Sequence, residues 1–215
     1  MTNPADLEPI PVPRLERDGV VLRAHTIDDA DEVTRRGADP LVQRWTTTPA
    51  NYTRDMALEF VTRMTGPSRD AIWWAIEVDG RMAGSIDLTT WGRGFSYGAA
   101  SVGFALSPWA RGRGVMTRAV AAAVEYGFDS LGLDTIIWEA YAGNVGSWRA
   151  AWGNGFHEFS YISSLLVGKD RLEDAWHAVL RADEPREPQG DWHLAIEKST
   201  TPRHPVSYTH LRAHE

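Results

Sequence analysis

Arg111-Gly112-Arg113-Gly114 combines two flexible backbone positions with two fixed positive charges, and an amphipathic run follows directly. Val115, Met116, Ala119, Val120, Ala123, Val124 and Phe128 recur at the spacing of one helical face, so the loop opens a helix. At a helix N-terminus the first amides lack an intrahelical partner and the dipole is positive, so a diphosphate can accept several backbone hydrogen bonds there. Glycine lets the backbone approach the ligand, and forked arginine donors suit phosphate. A tight strand-to-helix turn with two solvated arginines is the plainer alternative, although two cations beside a positive helix end need a reason. The triphosphatase P-loop does not fit, because Val115 and Met116 stand where Lys and Ser or Thr are required. The dinucleotide fingerprint fails as well: it needs three glycines inside a parallel βαβ unit, whereas the strands before this loop read as a hairpin.

The elements that must position the loop are legible on both sides of it. Val20 to His25 reads as a first strand after a proline-rich arm (residues 1–18). Thr26 or Asp28 caps a helix through Arg36 that Asp39-Pro40 would end, and Thr53 caps a second helix through Met64. Ile72 to Val78 and Arg81 to Thr90 form a hairpin about Asp79-Gly80, and Tyr97 to Leu106 follows a loop around Gly92 to Gly94. After the glycine loop and its helix come a strand from Thr135 to Tyr141 and a short helix from Ser147 to Trp152. A closing hairpin, Phe159 to Val167 and Ala175 to Ala182, ends the pattern. This order predicts an α/β fold with a mixed sheet of seven strands and helices on both faces, spanning residues 19–184 as one domain. Residues 185–215 read as a polar tail, and its end, Val206 to Glu215, resembles a translated cloning adapter that carries no function.

Composition narrows the classes of function. The 215 residues suffice for one domain, with 43% hydrophobic and 24% charged residues, as in ordinary folded proteins. Cysteine is absent, which removes disulfides, thiolate metal sites and a thiol nucleophile, and fits a reducing cytoplasm. Neither a membrane-spanning run nor a leader pattern is present, so a cytoplasmic protein with no membrane partner is expected. A net charge of −7 argues against nucleic acid and is compatible with an amine-bearing partner. Ten tryptophans are unusual, and Trp45, Trp73, Trp74, Trp91 and Trp109 could wall a cleft ahead of the loop, or pack the core.

Trp109-Ala110-Arg111-Gly112-Arg113-Gly114-Val115-Met116, with Val102-Gly103-Phe104 before it, resembles the coenzyme A loop of GNAT N-acetyltransferases, closest to the branch that acetylates ribosomal-protein N-termini. Asn144-Val145-Gly146-Ser147 and Gly155-Phe156 resemble that family's later signature, in the right order and at its spacing. Trp109 stands where the family usually has Gln or Arg. The resemblance covers Val20 to Ala182. It implies a mixed, mostly antiparallel GNAT sheet, with acetyl-CoA as acyl donor and no metal. The coenzyme would be held by Phe104, Ala105, Leu106, Arg111, Gly112, Arg113, Gly114, Val115, Met116 and Asn144. It further implies a V-shaped opening between the strand at Val102 to Leu106 and the strand at Thr135 to Tyr141.

Acetyl transfer to an amine needs a neutral amine, a stabilised oxyanion and a proton for the departing thiolate. By the resemblance, Ser147 matches a position that protonates the sulfur, although Asn144 and Ser147 are equally good helix caps. Tyr141 is a further acid candidate or a strand-core residue. Relatives often carry the base as Glu where this chain has Ser101, so Glu139 or Asp87 must replace it, or a water chain must serve. His157 and His177 fall on the closing strands and read as structural. The expected acceptor is a primary amine attacked directly in a ternary complex, either a protein N-terminus or a small molecule such as an aminoglycoside, polyamine or amino acid. A coenzyme-binding module without catalysis is the alternative that the Ser101 departure raises. Monomer and homodimer are both compatible.

Overall fold

Asp18 and Gly19 adopt φ of 47° and 76°, the positive values a two-residue hairpin turn requires, and join strand β1 (Leu15–Arg17) to β2 (Val20–Arg23). The computed structural model describes residues 9–90 and 95–192, and its sheet has eight strands because β1 lies inside the stretch read as an arm. The loop expected around Gly92 to Gly94, Trp91 and the adapter-like end fall outside the described residues.

Three helices, not two, precede the main hairpin. The Asp29 carboxylate accepts from the Thr26 amide and starts a short turn that continues as α1 (Ala30–Gly37). Asp39-Pro40 ends α1 as expected, yet the same pair starts α2 (Pro40–Trp45): the Asp39 side chain accepts from the Val42 amide, and proline is tolerated at the first helical position. Thr53 caps α3 (Arg54–Met64). Then follow β3 (Ala71–Val78), β4 (Arg81–Thr89), β5 (Ala99–Leu106), α4 (Val115–Asp129), β6 (Thr135–Tyr141), α5 (Val145–Trp152), β7 (His157–Val167) and β8 (Leu172–Arg181).

The sheet order is β1-β2-β3-β4-β5-β6-β8-β7, and every neighbouring pair is antiparallel except β5 and β6. All seven apolar positions read on the helix after the glycine loop are buried, and α4 packs them on one face of the sheet with Trp74, Trp138 and Trp148. On the opposite face α1 and α3 cover Ala75 and Met82. The segment read as a tail continues to pack as far as Trp192. Arg186 pairs with Asp129 at 2.7 Å and covers the Phe128 ring, while the Trp192 ring lies 6.2 Å from that of Trp148.

His25 is 1% exposed beside Phe60, and burial, reinforced by the positive charge of Arg36, lowers its pKa from 6.5 to about 4. Because the folded-state value lies below the unfolded one, its contribution to stability is complete above pH 6.5 and is lost as pH falls through 4. Urea midpoints are expected to drop across that window in the wild type and to drop less in His25→Gln.

Candidate active site

β5 stops at Leu106, a turn from Pro108 to Ala110 follows, and Gly112 and Gly114 take φ of 72° and 69° to bring the chain into α4. A side chain built at either glycine would meet nothing within 4 Å, so the space beside the loop is open. Gly114 is the N-cap, and the first i to i−4 donor is the Arg118 amide, which leaves the amides of Val115, Met116 and Thr117 at the open helix end. The two loop arginines differ. Arg111 pairs with Asp39 at 2.5 Å and donates to the Leu106 carbonyl, tying the loop to the cap of α2. Against the upward push of burial, Arg111 and the Val42 amide hold the Asp39 carboxyl below its usual range. Arg113 has no carboxylate partner among the described residues and lies 6.0 Å from the Trp109 ring, so it is the free positive charge of the loop.

A cleft of about 850 Å³ leads from this loop. Its origin is the register of the two parallel strands. β5 and β6 pair from Ala99 with Thr135 only as far as Val102 with Trp138, then diverge, each still bonded to its outer neighbour β4 or β8. The expected V-shaped opening is thus present. Phe104, Ala105 and Leu106 line one side, Asn144 and Ser147 the other, and Trp45 from α2 stands across it. All ten residues assigned to the coenzyme except Arg113 line this one cleft.

Side-chain alternation assigns chemistry to the faces of the notch. Val102 and Trp138, the last pair, are buried in the α4 core, so Gly103 and Glu139, the next residues, belong to the opposite face. Asp87 is opposite Gly103 on β4, and His177 is opposite Glu139 on β8. A Cβ on Gly103 would come within 2.9 Å of Asp87 Oδ1, so the missing side chain makes the room in which this carboxylate lies over β5. Burial pushes the Asp87 carboxyl up to about 7, against a hydrogen bond from the Thr89 hydroxyl that favours its charged form. Two carboxylates therefore flank the apex on one face. Ser101, where relatives often carry Glu, lies diagonally beside Asp87 and bonds to the Thr89 carbonyl.

On the other face, Ser147 Oγ accepts the Trp138 indole N–H at 3.0 Å, which leaves its own O–H free to donate into the cleft. Asn144 caps α5 by accepting the Ser147 amide at 3.2 Å, so it is a helix cap and a cleft wall at once. Tyr141 is not brought to the cleft. Its hydroxyl donates to the Val167 carbonyl at 2.7 Å, and burial and Glu173 raise its pKa. His157, the first residue of β7, lies 3.2 Å from the Glu184 carboxylate just past the end of β8. Of the tryptophans, Trp45 walls the cleft, Trp74 is core and bonds the Pro13 carbonyl, and Trp109 is held by Glu32 beneath Arg81. The Asp39–Arg111 and Trp138–Ser147 contacts leave no local sequence signal, but Asp87 had one: a charged residue between Ile86 and Leu88 in a buried strand.

Among the described residues no helix is long and apolar enough to cross a membrane, and no cluster of three metal-ligating side chains occurs. No curated protein matches the chain in sequence. Among solved structures, a GNAT acetyltransferase from Bacillus anthracis superposes with a TM-score of 0.71 at 18% identity, covering 80% of this chain and 100% of its own. RimJ of Mycobacterium smegmatis, in complex with CoA-disulfide, gives 0.70 at 19% identity over 81% of this chain and 88% of RimJ. The microcin C7 self-immunity acetyltransferase MccE, in complex with acetyl-CoA and AMP, gives 0.67 at 15% identity over 77% and 93%. The family model for the acetyltransferase (GNAT) domain matches residues 20–157, from β2 to the start of β7 and across the whole cleft, and the chain belongs to that family of N-acetyltransferases.

Proposed function

We propose that this N-acetyltransferase moves an acetyl group from acetyl-CoA to an α-amine by direct attack in a ternary complex, with a protein N-terminus as the leading acceptor. The observation that carries the reading is the notch itself: an open helix end for the diphosphate, diverging strands for the pantetheine arm, and acid and base groups on opposite faces of the apex. Asp87 takes the proton that the attacking amine loses, with Glu139 beside the same apex, and the Ser147 hydroxyl supplies a proton to the leaving thiolate. A peptide α-amine titrates near 8 and an alkyl amine near 10.4, so a base near 7 is close to matched with the first and about three units short of the second. That favours a peptide N-terminus over an alkyl polyamine.

The test is thioester consumption across short peptides with free N-termini, amino acids, a polyamine and an aminoglycoside. Turnover is expected to be fastest with α-amines. Tight coenzyme A binding without turnover of any amine would instead leave a binding module.

A further inference from the structure

A second cavity, of about 310 Å³, opens between α1, α3 and the segment after α2. Arg36 lines it and is 6% exposed, yet no carboxylate among the described residues lies within ion-pair distance of its guanidinium. Its guanidinium donates to the Ser85 hydroxyl at 2.8 Å and lies over the face of the Phe60 ring at 5.9 Å. The carboxylates that act on it through space are committed elsewhere: Glu32 to Arg35 and Arg81, Asp29 to Arg23. Buried charges are normally paired, because desolvation without a partner is costly. Burial lowers the Arg36 pKa to about 10, still well above neutral pH, so the charge stays. Arg63, Tyr52 and Thr48 add donors to the cavity, and Glu59 is the one carboxylate on its wall.

The cavity adjoins the coenzyme cleft in two ways. Val42 of α2 lines both. Ser85, which Arg36 holds, is the register partner of Ala105 in the cleft wall, and opposed strand positions are only about 5 Å apart at Cβ. Arg36 therefore stands one strand away from the cleft wall at Ala105.

We propose that this cavity is a specificity subsite in which Arg36 binds an oxyanion carried by the acceptor a few bonds from its reacting amine. The inference rests on the amine-acetylation reading above and adds the acceptor's charge to it. A planar guanidinium with free N–H groups matches a carboxylate in two-point fashion, and the cavity is too small for the coenzyme and large enough for one residue. Two sources offer this chemistry: the side chain of an acidic residue near a peptide N-terminus, and the α-carboxylate of a free amino acid.

Kinetics on matched pairs decide both the charge and the source. One arm compares peptides with Asp or Glu against Asn or Gln at the first and second positions, and the other compares free amino acids with their amides. The anionic member of one arm is expected to show a KM at least about tenfold lower, by one charge-assisted hydrogen bond. Arg36→Lys, which keeps the charge but loses the fork, and Ser85→Ala are expected to shrink that ratio toward one while the Kd for coenzyme A is unchanged. Equal KM for anionic and neutral members of both arms in the wild type overturns the proposal even if neither variant folds. If no amine is turned over, calorimetry in the presence of coenzyme A still reads the subsite, with N-terminal Glu against Gln peptides for one source and glutamine against its amide for the other: Arg36-dependent preference for the anionic member of either pair supports it, and equal or absent binding within both pairs sinks it.

Discussion

Asp87→Asn is expected to lower kcat by about 10²- to 10⁴-fold, the contribution typical of a general base, with little change in coenzyme A affinity. The carboxylate lies over Gly103, the first residue of β5 past the last β5–β6 pair, so it faces the apex without lining the coenzyme cleft. Its raised pKa gives the enzyme a pH dependence with a definite sign. The base must lose its proton to act, so wild-type kcat/KM rises with pH through about 7, and the Asn variant lacks that limb. Activity within about fivefold of wild type, or a persisting limb that Glu139→Gln removes, would transfer the role to Glu139.

Stability provides an independent readout of the same group. The folded-state pKa of Asp87 lies above its unfolded value, so the native state holds the proton more tightly and the contribution to stability is complete below about pH 3.8. It is lost as pH rises through 7, where the fold must bury a carboxylate. Asp87→Asn keeps the shape and can still accept the Thr89 hydrogen bond, so its Tm is expected to exceed that of wild type at pH 8 and to match it at pH 4.

The contrast between Asp87 and the residues read directly from sequence shows where local pattern is sufficient. The α4 face, the Asp79-Gly80 turn and the Thr53 and Asn144 caps depend on residues within a few positions of one another, and each is found where period and turn chemistry place it. β1 and α2 leave no such signal, because three and six residues show no period and Asp39-Pro40 carries a stop and a start in the same two residues. Period two gives the faces of β4, β5 and β6 but not their register, and only the register puts Asp87 beside Gly103 and ends the β5–β6 pairing at Val102. Arg111 reads locally as a phosphate ligand, while its carboxylate partner Asp39 lies 72 positions away in sequence.

Gly112→Glu is expected to weaken coenzyme A binding by about 100-fold or more, because it acts on the loop through charge and backbone at once. At φ 72° a side chain is strained by roughly 1–2 kcal/mol, and an open surrounding leaves the new carboxylate free to sit where phosphate oxygens would accept the amides of Val115, Met116 and Thr117. Losing one charge-assisted contact of about 1.5–3 kcal/mol already corresponds to roughly ten- to a hundredfold, and Arg113, the unpaired cation of the loop, would be neutralised as well. Gly112→Ala separates the two causes, since it carries the same φ strain with no charge and no clash within 4 Å. Both variants should lose similar stability in urea, but only the glutamate should abolish most of the coenzyme A affinity in calorimetry. Wild-type affinity in Gly112→Glu would remove the loop from the donor site, and equal loss in both variants would assign the effect to backbone strain instead of phosphate recognition.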